Sequence, residues 1–207
     1  MKHKVLRTAL YIVLALVGVI TVFPFVWMVL SSFKTNGEIQ SIVQTLLPQE
    51  ATVDNYLNLQ ETFDFLRYFM NSIFIAVAVT VLVIYTSCLC GYVLGKYQFK
   101  GKNIIFGFVM MTMMVPWSVT IIPRYTMFME AGLQDTYLSL ILPVMVSGFG
   151  IFMMKQNMES IPDELIEAAR IDGSNEFQTF HKLILPLCKN GISAIAIFQF
   201  LWVWEDY

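Results

Sequence analysis

Four stretches of this chain run without a single charged residue for the full length of a membrane crossing: residues 8–33, 69–95, 103–123 and 136–154. A helix needs about 20 residues to span roughly 30 Å of hydrocarbon, and each run reaches that length. A fifth run, residues 190–204, is shorter and meets Glu205 and Asp206 at its end. A soluble helical bundle would show polar faces at helical spacing, and these runs show none. Only 14% of the residues are charged, against about 25% in a typical soluble domain, so the charges gather between the runs. The expectation is an all-α, polytopic membrane protein, one transmembrane domain over residues 1–207 with about five helices.

The basic start, Lys2, Lys4 and Arg7, is like a signal-peptide n-region, but the apolar run behind it exceeds a signal core and no small-x-small cleavage site follows. It reads as an uncleaved first transmembrane helix. Basic residues set the orientation. Lys2, Lys4 and Arg7, then Lys96, Lys100 and Lys102, then Lys155, Arg170, Lys182 and Lys189 fall on one side; the other side has Lys34, Arg67 and Arg124. The N-terminus and residues 155–189 are therefore expected in the cytoplasm. Residues 34–67 form an extracytoplasmic loop long enough for short helices, which either docks an external partner or covers the bundle. Pro24, Pro116 and Pro143 interrupt three of the runs, and each removes a backbone hydrogen bond and bends its helix. Small residues such as Ala76, Gly91, Gly95, Gly148 and Gly150 allow close helix approach. Cys88 and Cys90 point about 200° apart on a helix, so with Cys188 they read as small apolar filler.

The polar segment before the last run carries the most information. Ser160-Ile161-Pro162-Asp163 offers an N-cap hydroxyl, a first-turn proline and an acid at the positive helix end. Gly173 supplies a left-handed stop. Over residues 160–173, Ile161, Leu165, Ile166 and Ala169 share one face, and Glu164, Glu167 and Arg170 tend to the other. Glu167 and Arg170 are spaced for a surface pair worth about 0.3 kcal/mol. Ser174 or Asn175 caps a second short helix with a Phe177, Phe180, Leu183 and Ile184 stripe, which Pro186 ends. Such a pair packs on its own bundle, or docks a cytoplasmic protein through the small Ala168 and Ala169. A helix-turn-helix reader of DNA needs a basic face; Glu159, Asp163, Glu164, Glu167, Asp172 and Glu176 argue against nucleic acid.

The residues Glu167-Ala168-Ala169, Gly173, Leu183, Leu185 and Pro186 resemble the signature loop of permease subunits of ATP-binding-cassette importers. The longer Glu-Ala-Ala-Arg-Ile-Asp-Gly form, ending on Asp172 and Gly173, is similar to the carbohydrate branch of the maltose-permease type. Asp54-Asn55-Tyr56, Asn71-Ser72, Gly91-Tyr92, Ile122-Pro123, Gly132-Leu133 and Ile161-Pro162 extend the likeness over nearly the whole chain. Leu183 stands where isoleucine is usual, Lys189-Asn190 replaces Lys-Pro, and Trp204-Glu205-Asp206-Tyr207 resembles Trp-Asn-Asp-Phe. The resemblance implies a six-helix core, so the rest of helix 5 and a final helix are expected on a longer chain or another polypeptide.

It further implies a multi-pass permease of a bacterial or archaeal plasma membrane that forms a carbohydrate pathway with a second permease. A separate ATPase would bind the ATP, and an extracytoplasmic solute-binding protein would deliver the solute. Glu164, Glu167, Ala168, Ala169, Asp172, Gly173 and Pro186 are the expected coupling residues. Glu205, Asp206 and Asn71 are candidates for the pathway, since intramembrane acids usually face a cavity; the alternative for the acids is a helix terminus at the interface. A non-sugar solute or a partial permease are the other readings. A membrane enzyme lacks material: His3 and His181 are the only histidines, and no HExxH, P-loop, Ser/His/Asp set or metal-ligand cluster occurs, so neither a cofactor nor a metal is expected. A passive channel would leave the Glu167 loop unexplained.

Overall fold

The computed structural model describes residues 2–206, and all regular structure among them is helical. The chain forms two compact units, Met1–Tyr68 and Phe69–Tyr207.

The first unit is built on α1, Lys2–Ser32. No residue of its apolar stretch Leu6–Ser32 is buried, so the helix presents an apolar surface suited to lipid. Pro24 lies inside this helix, which continues through it as one element. Three single turns follow: α2 (Asn36–Ile39), α3 (Asp54–Leu57) and α4 (Leu59–Thr62). They fold back on the end of α1. Asn55 donates from Nδ2 to the carbonyls of Ser32 and Lys34 at 2.9 and 2.8 Å, supplying partners that the helix end lacks. The Thr52 amide donates to the Phe33 carbonyl, and Tyr56 bonds Ser32 through its hydroxyl. Lys34 is almost fully buried, with its ammonium on the Thr45 carbonyl and 4.7 Å from the Trp27 ring centroid. The Asp54-Asn55-Tyr56 motif is thus a capping device.

The second unit is organised around α5, Phe65–Lys96. Its buried residues, among them Ala76, Val79, Val83, Cys88 and Tyr92, recur at helical spacing and make one stripe. Two further helices, α6 (Lys102–Met114) and α7 (Trp117–Glu130), divide the third apolar run. They meet at 99°, because Pro116 sits between them in extended geometry and ends the hydrogen-bond ladder. Pro116 therefore breaks the run where a bend was expected. The fourth run is likewise split: α8 (Tyr137–Ile141) and a 3-10 turn (Leu142–Val144) lead at 44° into α9, Gly148–Glu159.

Beyond α9 come α10 (Asp163–Ile171), a capped turn α11 (Glu176–Gln178), a π-helical stretch (Thr179–Ile184), the turn α12 (Leu185–Leu187) and α13 (Lys189–Asp206). Among the described residues two helices, α1 and α5, are long and apolar enough to cross a membrane alone, and three bent pairs raise this to at most five by length and composition. In the last pair only α13 carries the fifth apolar run.

Helix α9 packs on α5, α6 and α13. Gly91 lies against α9 so closely that a Cβ there would stand 2.7 Å from Met154 Cβ and 2.9 Å from the Lys155 amide nitrogen. Only glycine allows this crossing. Phe106 stacks on Phe152, and Phe149 meets Phe198 edge-on.

Candidate functional site

Two features of the second unit combine exposure, polarity and defined geometry. One is α10 with its attachments; the other is a cleft at the break between α6 and α7.

Helix α10 starts later than the sequence suggests. Ser160 is not its N-cap: it closes α9 and donates its hydroxyl to the Asn157 carbonyl at 2.7 Å. Pro162 takes the N-cap position with ψ 136°, and Asp163 and Glu164 occupy the positive first turn. The other end follows expectation. Gly173 adopts φ +82°, its amide bonds the Arg170 carbonyl and the Ser174 amide bonds the Ala169 carbonyl. This 6→1 and 5→2 pattern is a Schellman stop, and a side chain at Gly173 would be strained. Asp172 is the C-cap. Asn175 then caps α11 in a reciprocal box with Gln178. The expected second amphipathic helix is wound as a π-helix over Thr179–Ile184, which buries Phe180 and Ile184 but leaves Phe177 exposed. Pro186 lies in α12, just before the chain turns into α13 at 76°.

One side of α10 is held and the other is free. Ile161 and Ile166 enter the core, while Leu165 is 41% exposed. Lys96, at the end of α5, has a side chain only 5% exposed; it donates to the Ile161 carbonyl and pairs with Asp163 at 2.6 Å. Arg170 turns away from Glu167. It bonds Glu176 Oε1 through Nε and Nη2 at 3.0 and 2.7 Å. Glu176 Oε2 accepts from the Tyr97 hydroxyl and, at 3.4 Å, from that of Tyr92. The Tyr97 hydrogen bond, with Arg170 beside it, holds the Glu176 carboxyl below its ordinary range. The outward residues Glu164, Glu167 and Ala168 are exposed, and neither glutamate has a partner among the described residues. Lys96, Tyr97, Tyr92 and Glu176 were not singled out in the sequence as parts of this site. Lys96 counted only toward orientation, and Glu176 only as one acid among six.

The cleft, about 630 Å³, opens where α6 breaks into α7. Arg124 stacks its guanidinium 3.9 Å from the centre of the Trp117 ring, and Trp202 meets Trp117 edge-on at 6.1 Å. Gln199, 7% exposed, faces it from α13. Arg124 Nη1 and Gln199 Nε2 are buried with no hydrogen-bond acceptor. A neighbouring cleft of about 410 Å³ shares Gln199, Ser147, Phe149 and Trp202 and adds Glu205. Of the sequence-derived pathway candidates, Glu205 lines this space. Asp206 is exposed at the end of α13, and Asn71 accepts from the Tyr137 hydroxyl at 2.9 Å and lines neither cleft. The sequence did contain a signal for Gln199: an amide set between Phe198 and Phe200 in an apolar helix.

Residues 87–207 match the model of the family described as binding-protein-dependent transport system inner membrane component. The chain is 34% identical over 213 residues to the arabinooligosaccharides transport system permease protein AraQ of Halalkalibacterium halodurans, covering 100% of this chain and 76% of that protein. It is 31% identical over 197 residues to the lactose transport system permease protein LacG of Rhizobium radiobacter, covering 95% and 71%. Its fold aligns at TM-score 0.88 and 21% identity with a chain from a bacterial ABC transporter involved in the import of the acidic polysaccharide alginate, covering 99% and 72%. The chain thus belongs to the binding-protein-dependent transport system inner membrane component family, as a multi-pass permease of an ATP-binding-cassette transporter.

Proposed function

We propose that this permease imports a carbohydrate and takes its driving force through α10. The observation that carries the coupling role is the two-sidedness of α10: Lys96 and the Glu176 cluster fix one side to the bundle, and the Glu164, Glu167 and Ala168 side stays open. A cytoplasmic ATPase subunit seats on that open side. Closure of the ATPase pair displaces α10, and the bundle alternates between inward-open and outward-open states. ATP is bound and hydrolysed by that partner, so the chain itself is not an enzyme. A second permease completes the pathway, and an extracytoplasmic binding protein delivers the solute. The N-terminus and residues 155–189 lie in the cytoplasm, in keeping with the basic residues there. Names of sugar and oligosaccharide permeases among its relatives support the carbohydrate assignment.

The test is co-purification of the assembled importer followed by ATP-driven sugar uptake in proteoliposomes. Glu167→Arg places a cation on the docking face, and Gly173→Pro removes the amide that closes the stop and forbids its φ. Both variants are expected to insert in the membrane yet lose the link between ATP hydrolysis and uptake. Unchanged uptake in both refutes the assignment.

A further inference from the structure

The cleft at the α6–α7 break is built to hold something with acceptor atoms. Two of its donors, Arg124 Nη1 and Gln199 Nε2, are out of water and have no acceptor. Leaving buried donors unpaired is costly in an interior, and such exceptions mark a missing partner. The surrounding polar groups do not supply one. Thr112 and Thr120 donate their hydroxyls to carbonyls of their own helices, and neither hydroxyl oxygen accepts from Arg124 Nη1 or Gln199 Nε2. Arg124 has no ion pair among the described residues; the Trp117 ring beneath it holds the cation without neutralising it. Arg124 directly follows the third apolar run, and its charge is turned into the cleft rather than onto an acidic partner.

Three chemical demands meet across this cleft and the adjoining one, which share Gln199 and Trp202. The guanidinium and the Gln199 amide call for an anionic oxygen pair, which arginine meets with parallel hydrogen bonds. Trp202, 49% exposed, offers an aromatic surface to a ring. Glu205, in the adjoining cleft, is an acceptor for hydroxyl protons. A sugar with a carboxylate has all three complements: the acid group, an apolar ring face and hydroxyl donors. We infer that this cleft and the one adjoining it form a binding site for a carboxylate-bearing glycosyl unit, with Arg124 and Gln199 on the carboxylate, Trp202 against the ring and Glu205, in the adjoining cleft, on its hydroxyls. The inference rests on the carbohydrate reading above and narrows it to acidic sugars.

The measurement is direct binding to the assembled permease–ATPase complex in phosphatidylcholine nanodiscs, where no anionic head group competes. The probes are trigalacturonate and the neutral galactotriose, followed by calorimetry at low and high salt. Trigalacturonate is expected to bind about tenfold tighter than galactotriose, with the advantage shrinking as salt rises. Arg124→Gln should abolish that preference and Arg124→Lys should retain part of it. Gln199→Leu, close in volume but without the amide donor, should weaken trigalacturonate by a further independent step. Equal binding of the two sugars, binding of neither, or a preference that survives Arg124→Gln overturns the site. ATP-driven uptake is scored separately. A complex that binds trigalacturonate through Arg124 but takes up no sugar keeps the site and loses the import role.

Discussion

Glu176→Gln probes whether the attachment of α10 matters. The wild-type carboxylate accepts two N–H bonds from Arg170 and two tyrosine hydroxyls, from Tyr97 and Tyr92. Glutamine keeps an acceptor oxygen for the tyrosines but removes the charge. The Arg170 and Glu176 side chains are 49% and 52% exposed, so the ion pair is screened and counts at the surface value of about 0.2–1 kcal/mol. Weakened charge-assisted tyrosine bonds bring the total to about 1 kcal/mol. That corresponds to about a fivefold rise in the opening constant of the segment. The segment opens locally, so the loss appears in hydrogen exchange before it appears in global unfolding. Amides that close the Schellman stop, Gly173 and Ser174, should exchange about fivefold faster, while those in the α5 core around Val83 are unchanged. Coupled uptake per ATP should fall in the same preparation. Unchanged exchange at Gly173 and Ser174 would show that the Glu176 cluster holds nothing, and the two-sided account of α10 would fail.

Acidification should act on the same cluster. Because the folded carboxyl of Glu176 is held below its ordinary value near 4.5, its stabilisation is complete above that value and is lost as pH falls through the lowered folded value. Protection of Gly173 should therefore be level from pH 7 down to the ordinary carboxylate range and drop as pH falls below it. Gly91→Leu forces side-chain atoms into the Met154 backbone region, and overpacking of this kind costs about 1–3 kcal/mol; the melting temperature of the purified complex should drop. Asn55→Ala unties two carbonyls at the end of α1 and should cost about 1–2 kcal/mol, read as faster proteolysis within residues 34–67 and no change in the α5 core.

The membrane runs and the Gly173 stop were legible, as was Asn175 as one of two candidate caps, because each depends on a local rule: run length, left-handed φ, or a side chain reaching its own backbone. Pro116 was legible as a disturbance but not as a 99° break, since the outcome depends on what α6 and α7 pack against. Ser160 shows the limit of a local rule. Its hydroxyl had two helix ends within reach, and it closes α9 in place of opening α10. Arg170 likewise had Glu167 at the right spacing, yet the Glu176 carboxylate, fixed by two tyrosines from the end of α5, presents a better acceptor. The π-helical winding over Thr179–Ile184 has no signature in the apolar pattern, which suits an α-helix equally well. The cleft was visible only in part, because its donors come from α7 and α13, distant in sequence.

On the bundle side, the clamp on α10 draws its residues from one end of a single long helix. Tyr92 and Lys96 sit in the last turns of α5 and Tyr97 directly follows it, and Asn71 lies 25 residues before Lys96, about 38 Å away along the axis. A rod of that length multiplies small angles. A tilt of about 5° imposed at the Lys96 end carries the Asn71 end sideways by about 3 Å, roughly the width of a water molecule. Because the Gly91 crossing with Met154 admits no extra atoms, it serves as a tight fulcrum close to the driven end. The short arm lies at the clamp and the long arm reaches toward Asn71, so under the proposed coupling role a modest push on α10 is enlarged at the far end of α5.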